Sequence, residues 1–195
     1  MSGNGWCLIA MKKFIITVLG EDRPGIIASV TKVLHDQDYN IEEVSQTILQ
    51  NQFACFFIVA GRGKNSTARL AAELKENTAG FELFFHVREL GTHVNLNRGQ
   101  KCEPYVVTTR GPDRKGLVAG ITAVFAAHHV NVAQLRAVFR GGAEPGDNTM
   151  IYEVDIPLSV DLNELRRALS ERAKELDLQI SIQHRNIFET MNRVL

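Results

Sequence analysis

Short apolar, β-branched runs alternate with segments of helical periodicity along the chain. After the first run, at 14–19, apolar residues recur at three- and four-residue steps, which indicates a helix with one buried face. The order strand, helix, strand, strand, helix, strand then occurs twice. The predicted strands are 14–19, 40–49, 53–60, 80–90, 105–109, 131–140, 149–157 and 179–185, and the predicted helices are 24–37, 66–77, 115–128 and 161–176.

This βαββαβ order is typical of the ferredoxin-like arrangement, an antiparallel sheet with two helices on one face. The fold class is therefore predicted as α+β with two such domains. Ser66 or Thr67 is expected to cap the second helix, and Asp161 with Glu164 the fourth. In 53–59 both alternating sets of side chains are apolar. A sheet with one wet face alternates more cleanly, so its second face or edge is expected to be buried against another domain or chain.

A repeated loop sequence supports the duplication. GEDRPGI at 20–26 returns 91 residues later as GPDRKGL at 111–117. This offset is too long for a solenoid repeat and fits a duplicated small domain. The predicted organisation is an N-terminal extension 1–11, a first domain 12–90, a linker 91–103, a second domain 104–186 and a C-terminal helical turn 187–195.

Charge and cysteine content exclude several protein classes. The 195 residues carry 22 basic and 22 acidic side chains, which gives a net charge of zero without the basic stripe of a nucleic-acid binder. Three cysteines without a C-x-x-C spacing indicate neither a disulfide framework nor a metal site. No apolar run reaches the ~20 residues of a membrane span. We therefore expect a cytoplasmic protein without metal or cofactor, with Cys55 buried.

The repeated loop joins a strand to a helix, so it places unpaired backbone N–H groups and the positive end of the helix dipole at one point. Such a point accepts anions. Gly25 and Gly116 lack a Cβ and would let a small carboxylate approach.

Three polar pairs accompany these glycines. Each aspartate could cap its helix or hold an ammonium group, and each arginine could clamp a carboxylate or be solvated. Each asparagine opens the strand after the helix, and the sequence predicts that it lies near the same end of the sheet as the loop. The pairs are Asp22 and Asp113, Arg23 and Arg114, and Asn40 and Asn131.

DRPGI at 22–26 with Asn40-Ile41, and DRKGL at 113–117 with Asn131-Val132, resemble the ACT domain. The resemblance implies a small-molecule site at a domain interface. The loop glycine would lie near the ligand carboxylate, and the residue that opens the second strand near its amino group. The residues carried over are Gly25, Ile26, Asn40, Ile41, Gly116, Leu117, Asn131 and Val132.

Two ACT domains with nothing attached are similar to the glycine cleavage system transcriptional repressor group, which senses amino acids and contacts a DNA-binding partner. The resemblance implies a non-catalytic homodimer that binds a small amino acid, glycine or serine, and a protein partner, without touching nucleic acid itself. Lys115 replaces the proline of the first loop, so the two loops are not expected to serve the ligand equally.

Two other proteins share the βαββαβ order. An acylphosphatase-like hydrolase would use Arg23 and Asn40 on a phosphate, which the neighbouring aspartate would repel. An RNA-recognition module would need stacking aromatics on a basic sheet. The hydrolase is kept as the alternative function.

Overall fold

A computed structural model describes residues 11–61, 66–91, 101–139 and 148–187. They form two compact units, each with the predicted element order. The first contains β1 (Lys12–Glu21), α1 (Ile26–Asp36), β2 (Asn40–Leu49), β3 (Gln52–Gly61), α2 (Thr67–Asn77), a 3₁₀ turn (Ala79–Phe81) and β4 (Phe84–Leu90). The second contains β5 (Cys102–Gly111), α3 (Leu117–Ala127), β6 (Asn131–Phe139), β7 (Asn148–Pro157), α4 (Leu162–Glu175) and β8 (Gln179–His184).

Each unit has one four-stranded sheet, and the two sheets have the same topology. The strand orders are β2-β3-β1-β4 and β6-β7-β5-β8, and every neighbouring pair is antiparallel. Consequently β2 runs parallel to β1 with β3 between them. The fold class predicted from the sequence is confirmed.

The two cores lie within separate units. In β1, Phe14, Ile16 and Val18 are fully buried and pack with residues of α1 and α2, while the residues between them are more exposed. In the second unit, the Phe125 and Tyr152 rings meet edge to face with centroids 5.5 Å apart. Burying one face of each sheet under two helices accounts for the stability of domains of this size.

Several predicted boundaries are wrong. The third helix begins at Leu117 and not at residue 115, because Gly116 has a φ of 88°. The first helix begins at Ile26 and not at residue 24, because Gly25 has a φ of 98° and cannot belong to a right-handed helix. The fourth strand begins at Phe84 and not at residue 80, because the chain first forms a 3₁₀ turn and then reverses at Glu82, whose φ is 51°. The apolar residues of the sequence indicate neither the left-handed glycines before the helices nor the reversal at Glu82.

The predicted capping side chains Ser66 and Asp161 are confirmed. Ser66 accepts a hydrogen bond from the Arg69 N–H at 3.3 Å, and Asp161 accepts from the Asn163 and Glu164 N–H groups at 2.8 and 3.4 Å. These side chains satisfy donors that the first helical turn leaves unpaired.

Both edge strands that follow the first helix of a unit carry a β-bulge near their start. The register shifts between Ile41 and Glu43 in β2, and between Val132 and Gln134 in β6. A bulge adds one residue to one strand and increases its local twist.

Cys55 is fully buried on the helix side of the first sheet, as predicted, and burial raises the pKa of its thiol from about 9 to about 11. The folded state therefore holds this proton more tightly than the unfolded state. Its contribution to stability is complete below pH 9 and is lost as the pH rises through 9 to 11. Urea unfolding at pH 8 and pH 10.5 should show a smaller alkaline loss for Cys55→Ala than for the wild type. Equal losses in the two proteins would contradict the assignment.

Several predicted features lie outside the described residues. These are the N-terminal extension apart from Met11, most of the linker and all but the first residue of the C-terminal turn. Within the described ranges, no helix is long and apolar enough to span a membrane, and no group of three His, Cys, Asp or Glu side chains could hold a metal ion.

Candidate ligand-binding loops

The first loop, residues 22–25, and the second loop, residues 112–116, each end on a glycine in the left-handed conformation. Gly25 has φ 98° and Gly116 has φ 88°, and each is the N-cap of the helix that follows. A side chain at either position would strain the backbone, because L residues other than glycine rarely adopt this conformation. The glycines are therefore required by the turn, apart from any effect on ligand access.

The helices after the two loops begin without a side-chain cap. In α1 the first intrahelical bond runs from the Ser29 N–H to the Gly25 carbonyl at 3.0 Å, and in α3 from the Gly120 N–H to the Gly116 carbonyl at 2.8 Å. Neither helix has an acidic residue in its first turn or a side-chain hydrogen bond at its N-cap. The N–H groups that precede the first bond, three in each helix, face the loop with the positive dipole end.

The interpretation of Asp22 and Asp113 as helix caps is wrong. Each aspartate lies three residues before the N-cap glycine, too early in the chain to reach the second or third helical N–H. Asp22 contributes its own backbone N–H to the Asn51 carbonyl at 2.9 Å. Asp113 accepts a hydrogen bond from the buried Asn148 amide at 3.4 Å.

The two arginines are occupied within the chain. Arg23 donates to Glu21 at 2.7 Å, and this hydrogen bond holds the pKa of the Glu21 carboxyl below its ordinary value. Arg114 donates to the Leu176 carbonyl and lies 3.6 Å from Asp177. Neither guanidinium is directed to the helix start, so the geometry does not favour a carboxylate clamp.

The prediction that the asparagines lie at the same end of the sheet as the loops is wrong. Asn40 pairs with Ala60, which pairs with Lys13 near the start of β1, whereas the first loop follows the end of β1 at Glu21. Lys13 and Glu21 are eight residues apart along β1, a distance of about 27 Å. In the second unit Asn131 pairs with Asp155, which pairs with Pro104 near the start of β5. The second loop follows the other end of β5, so Asn131 and this loop also lie at opposite ends of the sheet.

The apolar candidates serve the cores. Ile26 and Leu117 are buried, and Ile41 and Val132 pack partly buried against the core of their own unit. Their side chains fix the helix and strand that carry the loop glycine and the asparagine.

Two cavities contain residues that the sequence did not single out. A cavity of about 410 Å³ beside the first loop is lined by Lys75, Thr78, Ala79, Glu82, Leu83 and Phe84. A second, of about 650 Å³, contains Asn131 together with Cys102, His129, Val130, Asp155, Pro157, Ser159 and Val160. No periodicity marks Glu82, since the sequence placed it inside a strand.

The two loops and their βαββαβ setting recur at matching positions in both units. The family model of the ACT domain matches residues 12–88 and 103–183. The chain belongs to the ACT domain family.

Some relatives match most of this chain, and others match about half of it. The glycine cleavage system transcriptional repressor of Escherichia coli is 27% identical over 174 residues, covering 86% of this chain and 87% of that protein. A UPF0237 protein of Pyrobaculum aerophilum is 36% identical over 90 residues, covering 46% of this chain and 96% of its own length. The crystal structure of an unknown protein from Galdieria sulphuraria has a TM-score of 0.74 at 23% identity and covers 90% of this chain and 99% of that one. This last likeness shows the fold.

Proposed function

We propose that this tandem ACT protein is a non-catalytic, amino-acid-sensing regulator whose ligand carboxylate binds at an uncapped helix start. The observation that carries the proposal is the contrast among the helices α1 to α4 of the described residues. The helices α2 and α4 are capped by their own side chains, whereas α1 and α3, which follow the repeated loops, are not. A bound carboxylate would supply the acceptor that each of these two helices lacks.

An amino acid also brings an ammonium group, and Asp22 is the candidate partner for it. Its carboxylate is half-exposed beside the helix start and makes no hydrogen bond within the described residues. A zwitterion could therefore place its carboxylate on the N–H groups of α1 and its ammonium on Asp22. Glycine and serine are the proposed ligands because of the similarity to the glycine cleavage system transcriptional repressor.

Use of Asn40 in the same site requires a second ACT domain, because Asn40 and the first loop lie at opposite ends of one sheet. Antiparallel pairing of β2 with β2 of another copy would bring the Asn40 end of one chain level with the Leu49 end of the other. The first loop is bonded to that end through Asn51. A homodimer of this kind would hold two equivalent composite sites.

The similarity to a transcriptional repressor supports action on transcription or amino-acid metabolism through a protein partner in the cytoplasm. The neutral net charge disfavours direct DNA contact. The hydrolase alternative is weakened by Arg23, whose guanidinium is engaged by Glu21 with Asp22 adjacent, since two carboxylates would repel a phosphate.

A thermal-shift screen with the twenty amino acids tests the proposal. A ligand present at 100 times its Kd should stabilise the folded protein by about 2.7 kcal/mol. The proposal predicts such a shift with glycine or serine and a smaller one with larger side chains. No shift with any amino acid at millimolar concentration would contradict it. Acyl-phosphate hydrolysis that is lost in Arg23→Ala would instead support the hydrolase.

A further inference from the structure

The face of the first sheet opposite its helices carries apolar side chains that the described residues leave uncovered. Leu19, Phe56 and Phe84 are 42%, 46% and 63% exposed, and Ile15 and Ile58 beside them are half-buried. This surface, which we call the open face, crosses all four strands, and its apolar side chains lie on β3, β1 and β4. A contiguous apolar patch of this kind is typical of an interaction surface.

The strand register arranges the open face in three rows that cross β2, β3, β1 and β4 in that order. Residues directly opposite each other in a sheet share a face, so each row follows from the pairing. The rows are Thr47, Ala54, Leu19, Phe84; then Ser45, Phe56, Thr17, His86; then Glu43, Ile58, Ile15, Arg88.

The corresponding face of the second sheet is more polar, although Val106 and Ile151 lie at the positions of Ile15 and Phe56. At the positions of Leu19, Ile58 and Phe84 the register places Arg110, Glu153 and Gln179. Glu153 forms an ion pair with Arg185 at 3.1 Å on this face. The same fold therefore accepts charged or polar residues at these three positions, and folding does not require Leu19, Ile58 and Phe84 to be apolar.

The open face is complementary to a second copy of itself. If two copies stack with a two-fold axis parallel to the strands, β2 of one lies over β4 of the other, β3 lies over β1, and each row lies over the same row. In the first two rows large residues then face small ones, and in the third row Ile58 faces Ile15. The facing pairs are Phe56 with Thr17, Leu19 with Ala54, Phe84 with Thr47, and His86 with Ser45.

The charges at the end row agree with the same arrangement. In the stacked pair Glu43 of each copy faces Arg88 of the other, which gives two equivalent ion pairs. Within the described part of the chain neither side chain has a hydrogen bond or ion pair of its own. The other in-plane two-fold axis, perpendicular to the strands, would place β2 over β2 and bring Glu43 near Thr47 instead.

We infer that the open face of the first domain packs against the open face of a second copy, sheet on sheet, with Glu43 and Arg88 paired across the two-fold axis. Aligned sheets pack in this way about 10 Å apart in β-sandwiches. The contact does not depend on the proposed function, since it leaves the β2 edge free for pairing with a further copy.

Sedimentation velocity of the full chain over a range of concentrations tests this inference. Leu19→Arg introduces the residue that the second domain already carries at that position, so it should fold, which circular dichroism checks. It should halve the mass of the wild-type assembly or raise the dissociation constant of the contact by more than roughly tenfold. The control Leu158→Arg makes the same change at an exposed leucine of the second domain and should leave the mass unchanged.

A charge exchange tests the two-fold register. Glu43→Arg and Arg88→Glu should each weaken association, and the double variant should restore it, because the swapped charges again face each other. A monomeric wild type, or an unchanged mass in Leu19→Arg, would overturn the inference and indicate a face covered from within one chain or left open. Failure of the double variant to recover association would overturn the assigned register.

Discussion

Phe57→Ala is expected to lower the free energy of unfolding of the first domain by about 4 kcal/mol, the usual cost of removing a fully buried phenylalanine. Phe57 has no exposed surface and lies at the centre of β3, opposite Ile16 and Val44. Small domains have only about 5–15 kcal/mol of stability, so this loss would leave the first domain marginal. Because the two cores share no buried residue, the second domain should keep its own stability.

Hydrogen exchange during urea titration measures the two domains separately. Phe56→Ala is the matched control, since Phe56 is the next residue and the same side chain but points to the open face. At concentrations where the chains are dissociated, Phe56→Ala is expected to lower the free energy of unfolding by about 1 kcal/mol. Equal losses for the two variants would mean that the open face is buried within the chain. Loss of protection in both domains for Phe57→Ala would mean that the domains unfold together.

Asp22→Asn is expected to raise the Kd of the amino acid identified in the screen by roughly 10- to 100-fold. The substitution keeps the shape of the side chain and removes the charge that holds the ligand ammonium, and a hydrogen bond to a charged group is worth about 1.5–3 kcal/mol. Isothermal titration calorimetry measures this change. Stability without ligand should be nearly unaffected, because Asp22 does not cap α1.

Two further variants separate ligand contact from structural effects. Arg23→Ala should leave the Kd within about threefold, because the guanidinium is already bound to Glu21 at 2.7 Å. Ser66→Ala should lower stability by about 1 kcal/mol through loss of a true helix cap and leave the Kd unchanged. Wild-type affinity in Asp22→Asn would place the ammonium elsewhere. The same measurement on Asp113→Asn then decides whether the second loop binds the ligand.

Periodicity and composition were sufficient for the elements and their order. These signals are local, because each depends on residues within one or two turns or strands. They are the repeated apolar stripe of the helices, the apolar run around Cys55, and the Ser66 and Asp161 caps. The ACT family could likewise be inferred from the loop and its spacing to the asparagine.

The candidate site was less predictable, because it depends on chain direction. An eleven-residue helix carries the chain back by about 16 Å, so the strand that follows α1 begins at the end of the sheet away from the loop. Asn40 and Gly25 are therefore close in sequence but lie at opposite ends of the sheet. The capping alternative for Asp22 is wrong for a related reason, since the left-handed Gly25 moves the helix start beyond the reach of its side chain.

The bulge after Asn40 limits how two β2 edges could join. A regular ladder with a neighbouring strand can extend only from Glu43 to Leu49, since the extra residue interrupts the alternation of outward N–H and C=O groups. Only a pairing centred on Gln46 uses all seven of these residues on both strands, and each slip shortens the ladder. The bulge would thus end the ladder and select one register. The Asn40 amide would then lie beyond the last hydrogen bond between the two strands, where it could face the loop of the neighbouring chain. The corresponding bulge in β6 would limit strand pairing of the second domain in the same way.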